Sequence, residues 1–362
     1  MHQRTHTPFA TAKRNIALLT SSILLGLAML CGAMADVLHI VGYPSNIGTV
    51  TPDYGSETTV PENGTVECSA LDATSGATRG TCLGYDLYTL AAGATPSNGP
   101  RTLVTSSSDT SFTYSYANTN ALVVWHWGAV SNQLTITADT GGTVAPAGTF
   151  LASDEEPVLV TATPEEGKAF LKWTGDIPVT LQYDNPLRLP ATAPRSVQAL
   201  FATAVYAAPN AAGDGSGSSW ANEATLANAV ASATAGQVVV LSDGVHQLAS
   251  RLTVDKGITL RGLTGDWDDV ILDASGYQYK GAVYLHHGAA VLSGVTIRGG
   301  HCHELYAGGI HVLAGTATNC HVTACYQTSI NREGVATRNY SGHIFDCLID
   351  GNSVSRGNTY GG

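Results

Sequence analysis

From residue 47 onward the chain alternates apolar and polar positions over short stretches, each closed by Gly, Pro, Asn or Asp. IGTVTP, VECSA, LVVWHW, GGTVAP and VLVTA read with a period near two, which predicts short strands with one buried face. A helical period appears convincingly in one place outside the N-terminus. Residues 223–235 (EATLANAVASATA) predict a helix that carries Leu226, Val230 and Ala233 on one face. From 237 the β-runs become short and closely spaced: QVVVLSDGVH, LTVDKGITLRG, DDVILDAS, GGIHVLAGTATNCHVTAC and HIFDCLIDGN. They are too frequent for a hairpin-connected sandwich. Aligning their ends places Val295, Cys320 and Cys347 in one column and Ile297, Val322 and Ile349 in the next, at steps of 25 and 27 residues. That is about one turn of a parallel β-solenoid with like residues stacked inside.

A longer repeat precedes this region. IGTVTP at 47–52 recurs as GGTVAP at 141–146, VECSA at 66–70 as VLVTA at 158–162, LGYDLY at 83–88 as LKWTGD at 171–176, and LVVWHW at 122–127 as VQALFA at 197–202. Trp173, Phe170 and Leu171 supply core bulk in one copy, and Tyr85, Leu83 and Cys82 in the other. Two small β-domains in tandem follow, the first with an insertion around 89–110.

The string LTITADTGGTVAPAG, then VLVTATPEEGKAFLKWTGD, NPLRL and SVQALFA, resembles the divergent B-repeat of bacterial surface proteins, the internalin type. The resemblance covers about 133–202 well and 37–130 as a divergent copy. It implies a β-grasp-like spacer or adhesion module without an active site; its Gly-Trp-Thr-Gly signature stands here as Lys172-Trp173-Thr174-Gly175. Residues 204–362 resemble the right-handed parallel β-helices of the pectin-lyase-like class, with VYAAPNAAGDGSGSSWANEATLANAVASATAGQVVVLSDGVH as first strand, capping helix and first rung. GGI at 308–310 and the terminal YGG are similar to the GG-aliphatic repeats of bacterial outer-membrane surface proteins. The expected fold is therefore all-β: a divergent B-repeat-like domain at 36–130, a B-repeat-like domain at 131–203 and a capped β-helix at 204–362. The chain stops in mid-repeat, so the helix is expected to be truncated and its last rung prone to aggregate through an open strand edge.

The N-terminus sets the address. Residues 1–14 hold Arg4, Lys13 and Arg14 and no acid, Ile16 to Leu30 are apolar, and Ala33-Met34-Ala35 offers small residues to a signal peptidase. Residues 1–35 read as a signal peptide, too short for the about 20 apolar residues of a membrane span. No later segment could cross a bilayer as a helix. Removing these residues takes three positive charges and no negative one, so the charge falls from -11 to -14. With 17 Lys and Arg against 28 Asp and Glu, a nucleic-acid partner is excluded. A secreted or outer-surface protein is expected, with an extracellular glycan or cell-surface partner.

Export permits disulfides. Cys68 and Cys82, in VECSA and TCLGY, are expected to pair as neighbours on adjacent strands. Cys320 and Cys347 suit a buried stack of free thiols, and Cys302 with Cys325 is the better-placed pair among the remainder. Chemistry is sparse. Asp346 and Asp350 flank Cys347, with Arg332 and Arg338 in the preceding loop, as the acids and bases a β-helix lyase or hydrolase would need. Asp268-Asp269 reads as a solvated turn. His301 and His303, with Glu304 beside them, are the one spacing that resembles a metal site, although no cofactor is expected. Tyr277, Tyr279, Tyr284 and Tyr306 are candidates for stacking against sugar rings. The expected function is non-catalytic adhesion or carbohydrate binding, with a β-helix polysaccharide lyase or glycosidase and a passive stalk as alternatives.

Overall fold

The computed structural model describes residues 35–211, 213–277, 280–303, 307–328 and 334–354. The signal-peptide reading, Tyr279, Glu304, Tyr306 and Arg332 lie outside the described residues. The chain divides into two compact units, up to Ser131 and from Asn132. Within the described residues no helix is long and apolar enough to cross a membrane.

In the first unit, Ala35–Tyr43 pairs antiparallel with Glu57–Pro61 and parallel with the start of Ala121–Ala138, while Thr78–Leu90 pairs with Arg101–Ser107. Thr49–Thr51, Thr65–Leu71 and Ser111–Ser115 form a separate antiparallel sheet. The alternation read from sequence is the burial pattern seen: Leu38, Ile40, Val60, Trp125 and Trp127 point into one core with Val50 and Cys68. The expected Cys68–Cys82 disulfide is not formed. Both are buried free thiols, and their strands belong to different sheets rather than lying side by side. Desolvation pushes the Cys68 thiol up to about 12.

The second unit repeats this plan. Gly142–Ala145, Val158–Pro164 and Leu187–Leu189 form the small sheet, and Lys168–Gly175 pairs antiparallel with Arg195–Ala207, which runs parallel to the end of Ala121–Ala138. Strand for strand, the four repeated strings occupy equivalent places, and the insertion in the first copy supplies Arg101–Ser107. Trp173, 1% exposed, fills the core with Phe170 and Leu187.

The last residues of Arg195–Ala207 then pair in parallel with Val238–Leu241, and the solenoid begins there. One sheet stacks Val238–Leu241, Thr259–Gly262, residues 291–293, 316–318 and His343–Phe345. A second stacks Gly244–Gln247, Val270–Asp273, 296–298, 321–323 and Leu348–Ile349, and a third Leu252–Val254, 283–285, 310–312 and Thr337–Asn339. All these pairings are parallel, which gives a β-helix. Val295 sits opposite Cys320, and Ile297, Val322 and Ile349 follow one another in register, as the 25- and 27-residue steps require. The expected helix is Leu226–Ser232, with Thr225 as N-cap and Leu226, Ala229 and Val230 buried against the solenoid core. Cys320, Cys325 and Cys347 are free thiols. Asp273 and Arg298 face each other on neighbouring rungs with two N–H···O contacts of 2.8 and 2.9 Å.

Candidate functional site

The third sheet of the solenoid brings ring and guanidinium groups together on its outer side. Val283, Leu285, Ile310 and Val312 point inward and are buried, so the alternating residues Tyr284 and His311 point outward. Tyr284 lies opposite His311, and His311 opposite Arg338, on three successive rungs. Strand spacing sets such neighbours about 4.8 Å apart, which suits aromatic contact. The Tyr284 and His311 rings are edge to face with centroids 5.0 Å apart. His286 stacks on Tyr284 at 5.1 Å, and Tyr340 on His311 at 5.4 Å and 21°. The Arg251 guanidinium lies 4.9 Å from the Tyr284 centroid, and that of Arg338 4.7 Å from the Tyr340 centroid. These are cation–π distances. Arg338 also donates to the Tyr340 hydroxyl.

The electrostatics follow from the packing. His311 is only 4% exposed, and burial, then the charges of Arg338 and Arg251, push its pKa down to about 4. The ring is neutral at neutral pH, so it sits between the two guanidiniums without repelling them. Tyr340, 58% exposed, and the exposed His286 carry the ladder out to solvent. The result is a row of flat, preoriented faces with polar edges. Such a surface can stack against the apolar faces of a sugar and hydrogen-bond its hydroxyls. Tyr284 is thus a member of the ladder. Arg251, His311 and Tyr340 were not singled out from sequence as binding residues, yet 284, 311 and 338 are separated by the same 27-residue step that aligned the core columns.

The other predicted site residues are dispersed. Tyr277 is half-buried against the solenoid core, and its hydroxyl donates to the Gly281 and Ala282 carbonyls. Its role here is in packing. The expected acid–base cluster does not assemble among the described residues: Arg338 belongs to the third sheet, Asp350 follows the second-sheet strand Leu348–Ile349, and Asp346 sits in the turn between the first and second sheets. Side chains close in sequence were separated because each rung turns the chain onto a new face. Asp350 instead accepts from His321 Nε2 at 2.8 Å, and that bond, against a small desolvation, holds its carboxyl low. Asp346, at φ 51°, lines a cleft with Asp184 and Arg261. Asp268 and Asp269 lie in a turn closed by Thr264 donating to Asp269 at 2.7 Å.

His301 is half-buried, with Nε2 3.3 Å from the Thr328 hydroxyl and its ring 4.9 Å from that of Tyr326. Burial, then the neighbouring His303, lower its pKa. Among the described residues, no three His, Cys, Asp or Glu side chains converge as a metal set.

Residues 132–205 match the family of divergent InlB B-repeat domains. Among solved structures, the crystal structure of pectate lyase Pel9A is similar at 20% identity and a TM-score of 0.29, over 38% of this chain and 40% of that one. The matched region thus spans less than half of that protein. No curated protein matches the chain. The resemblance read from residues 133–202 coincides with the family match at 132–205.

Proposed function

We propose that the protein is an exported bacterial surface protein whose solenoid face holds an extracellular glycan without turning it over. The observation that carries this reading is the register of Tyr284, His311 and Arg338 on three successive rungs, with Tyr340 stacked on the same face. Carbohydrate stacking uses rigid aromatic planes at low entropic cost, and here the planes are already oriented by the sheet. The B-repeat segment and the leader-like N-terminus support a setting outside the cell, either secreted or at the outer surface. The GG-aliphatic character of 308–310 is in keeping with a surface repeat. Of the acids and bases expected from sequence, Asp346, Asp350 and Arg338 lie on different faces, so they form no acid–base set with one another.

The test is retention of the chain from Asp36 on immobilised glycans, with product analysis on the same samples. Tyr340→Ala and Tyr284→Ala are expected to weaken retention by about ten-fold or more, the loss of one or two stacking contacts at roughly 1–1.5 kcal/mol each. Release of reducing ends or of unsaturated products would replace this reading with an enzyme. Failure to be retained on any glycan or cell surface would leave a passive stalk.

A further inference from the structure

A second feature lies away from the ladder, in a cleft of about 510 Å³ lined by the loop 181–186, the turn 264–267 and the first-sheet side of the solenoid. Of its lining residues, Asn319 and Asp346 lie one 27-residue step apart on the solenoid, whereas Asp184 comes from the loop 181–186. Arg261 occupies its floor at 8% exposure. One of its N–H groups donates to the Phe170 carbonyl at 3.1 Å; among the described residues the others have no protein acceptor, and no carboxylate lies within ion-pair range. A guanidinium buried to this degree is costly unless its remaining donors are satisfied. Burial lowers its pKa to about 10, with the more distant Asp184 opposing the shift.

Facing it are Asp184 and Asp346, whose carboxylates make no hydrogen bond among the described residues. Burial first, and then Asp346, hold Asp184 up at about 6. Trp267 and Tyr183 provide aromatic walls. The walls are fixed in place. Asn319 donates to the Gly265 carbonyl at 2.6 Å and so holds the turn that carries Trp267. Asn185 makes two bonds to the Ala162 backbone, at 2.9 and 2.8 Å, and Trp173 Nε1 donates to the Asp184 carbonyl at 2.8 Å. The B-repeat tryptophan therefore positions the loop that brings Asp184 to the cleft.

The mixture of groups selects the ligand. An anion would meet two carboxylates, and a metal or ammonium ion would meet Arg261, so neither fits a site of mixed sign. A neutral polyol does fit. Its hydroxyls accept from Arg261 and donate to Asp184 and Asp346, while the C–H face of its ring lies on Trp267. The volume is within the range of small-ligand sites.

We infer that the cleft between Arg261, Asp184, Asp346 and Trp267 is a binding site for a neutral sugar residue, distinct from the ladder. It extends the glycan-binding reading with a site of its own, and it stands even if the ladder binds nothing. The test is saturation-transfer NMR and calorimetry on the chain from Asp36, with cellobiose, maltose, lactose and mannobiose as probes. Saturation transfer to at least one of them is expected. Trp267→Ala and Asp346→Asn should each weaken its binding by about ten-fold or more at unchanged circular dichroism, whereas Tyr340→Ala should leave it unchanged. Loss with Tyr340→Ala alone would assign the sugar to the ladder and overturn the cleft, as would a silent panel. Calcium binding abolished by Asp184→Asn would make the cleft a cation site instead and equally overturn the proposal. Because Arg261 is buried, Arg261→Lys is read only beside Asp346→Asn, which alters an exposed group.

Discussion

At the scale of single residues, Asp184 has the most readable consequence. Its folded pKa of about 6 lies above the ordinary carboxyl value because burial, and then Asp346, penalise the charged form. The folded state therefore binds this proton more readily than the unfolded chain does. The resulting penalty is full above about pH 7, shrinks as pH falls through 6 and is gone near pH 4. Asp184→Asn is expected to stabilise the protein at pH 8 by about 1 kcal/mol, a figure discounted for the partial exposure of the carboxyl. At pH 4 the two proteins should unfold at the same urea concentration. Equal midpoints at both pH values would show that Asp184 is fully solvated. The pairing was not legible in sequence: Asp184 and Asp346 are 162 positions apart, and although Asp346 follows Gly294 and Asn319 at the 25- and 27-residue steps of the solenoid, Asp184 falls on no repeating column. Cys68 and Cys82 illustrate the converse, since closeness in sequence suggested adjacent strands and the chain placed those strands in different sheets.

At the scale of elements, the solenoid was the most legible part because each rung restates the same inward and outward pattern. The 27-residue step that aligns Val322 with Ile349 also aligns Tyr284, His311 and Arg338, so the ladder was present in the spacing, with a tyrosine, a histidine and an arginine on its three rungs. The helix Leu226–Ser232 was legible in type and buried face, though not in what ends it. Seven residues make a marginal helix by themselves. Lys256 Nζ donates to the carbonyls of Val230, Ala231 and Ala233, each at 2.8 Å. It places a cation at the negative end of the helix and satisfies carbonyls that the last turn leaves open. Lys256→Met keeps the aliphatic stem and removes these bonds, so a loss of about 1–3 kcal/mol is expected in chemical unfolding. Faster amide exchange should be confined to residues 226–233 and their contacts. A loss below 0.5 kcal/mol, on the order of a neutral surface change, would show that packing alone holds the helix.

At the scale of the whole molecule, the strand Arg195–Ala207 joins two kinds of architecture. Its first part pairs antiparallel with Lys168–Gly175 and parallel with the end of Ala121–Ala138, and its last four residues pair with Val238–Leu241 as the first strand of the solenoid. Sequence placed a domain boundary at 203, where composition changes, but composition says nothing about whether a strand continues through the change. Arg261 ties the same parts together by donating to the Phe170 carbonyl and lying over its ring at 5.0 Å. A cut at 203 would leave Ala204–Ala207 on Val238–Leu241 but sever them from the rest of their strand, and it would leave Arg261 without Phe170. A fragment beginning at Asn132 keeps both. The fragment 132–354 is therefore expected to unfold in urea as one cooperative transition, with circular dichroism and fluorescence superimposing. The fragment 204–354 should unfold at a distinctly lower urea concentration and expose apolar surface to a dye such as ANS. If the shorter fragment kept the midpoint of the longer one, the solenoid would be an independent domain and the shared strand only a connector.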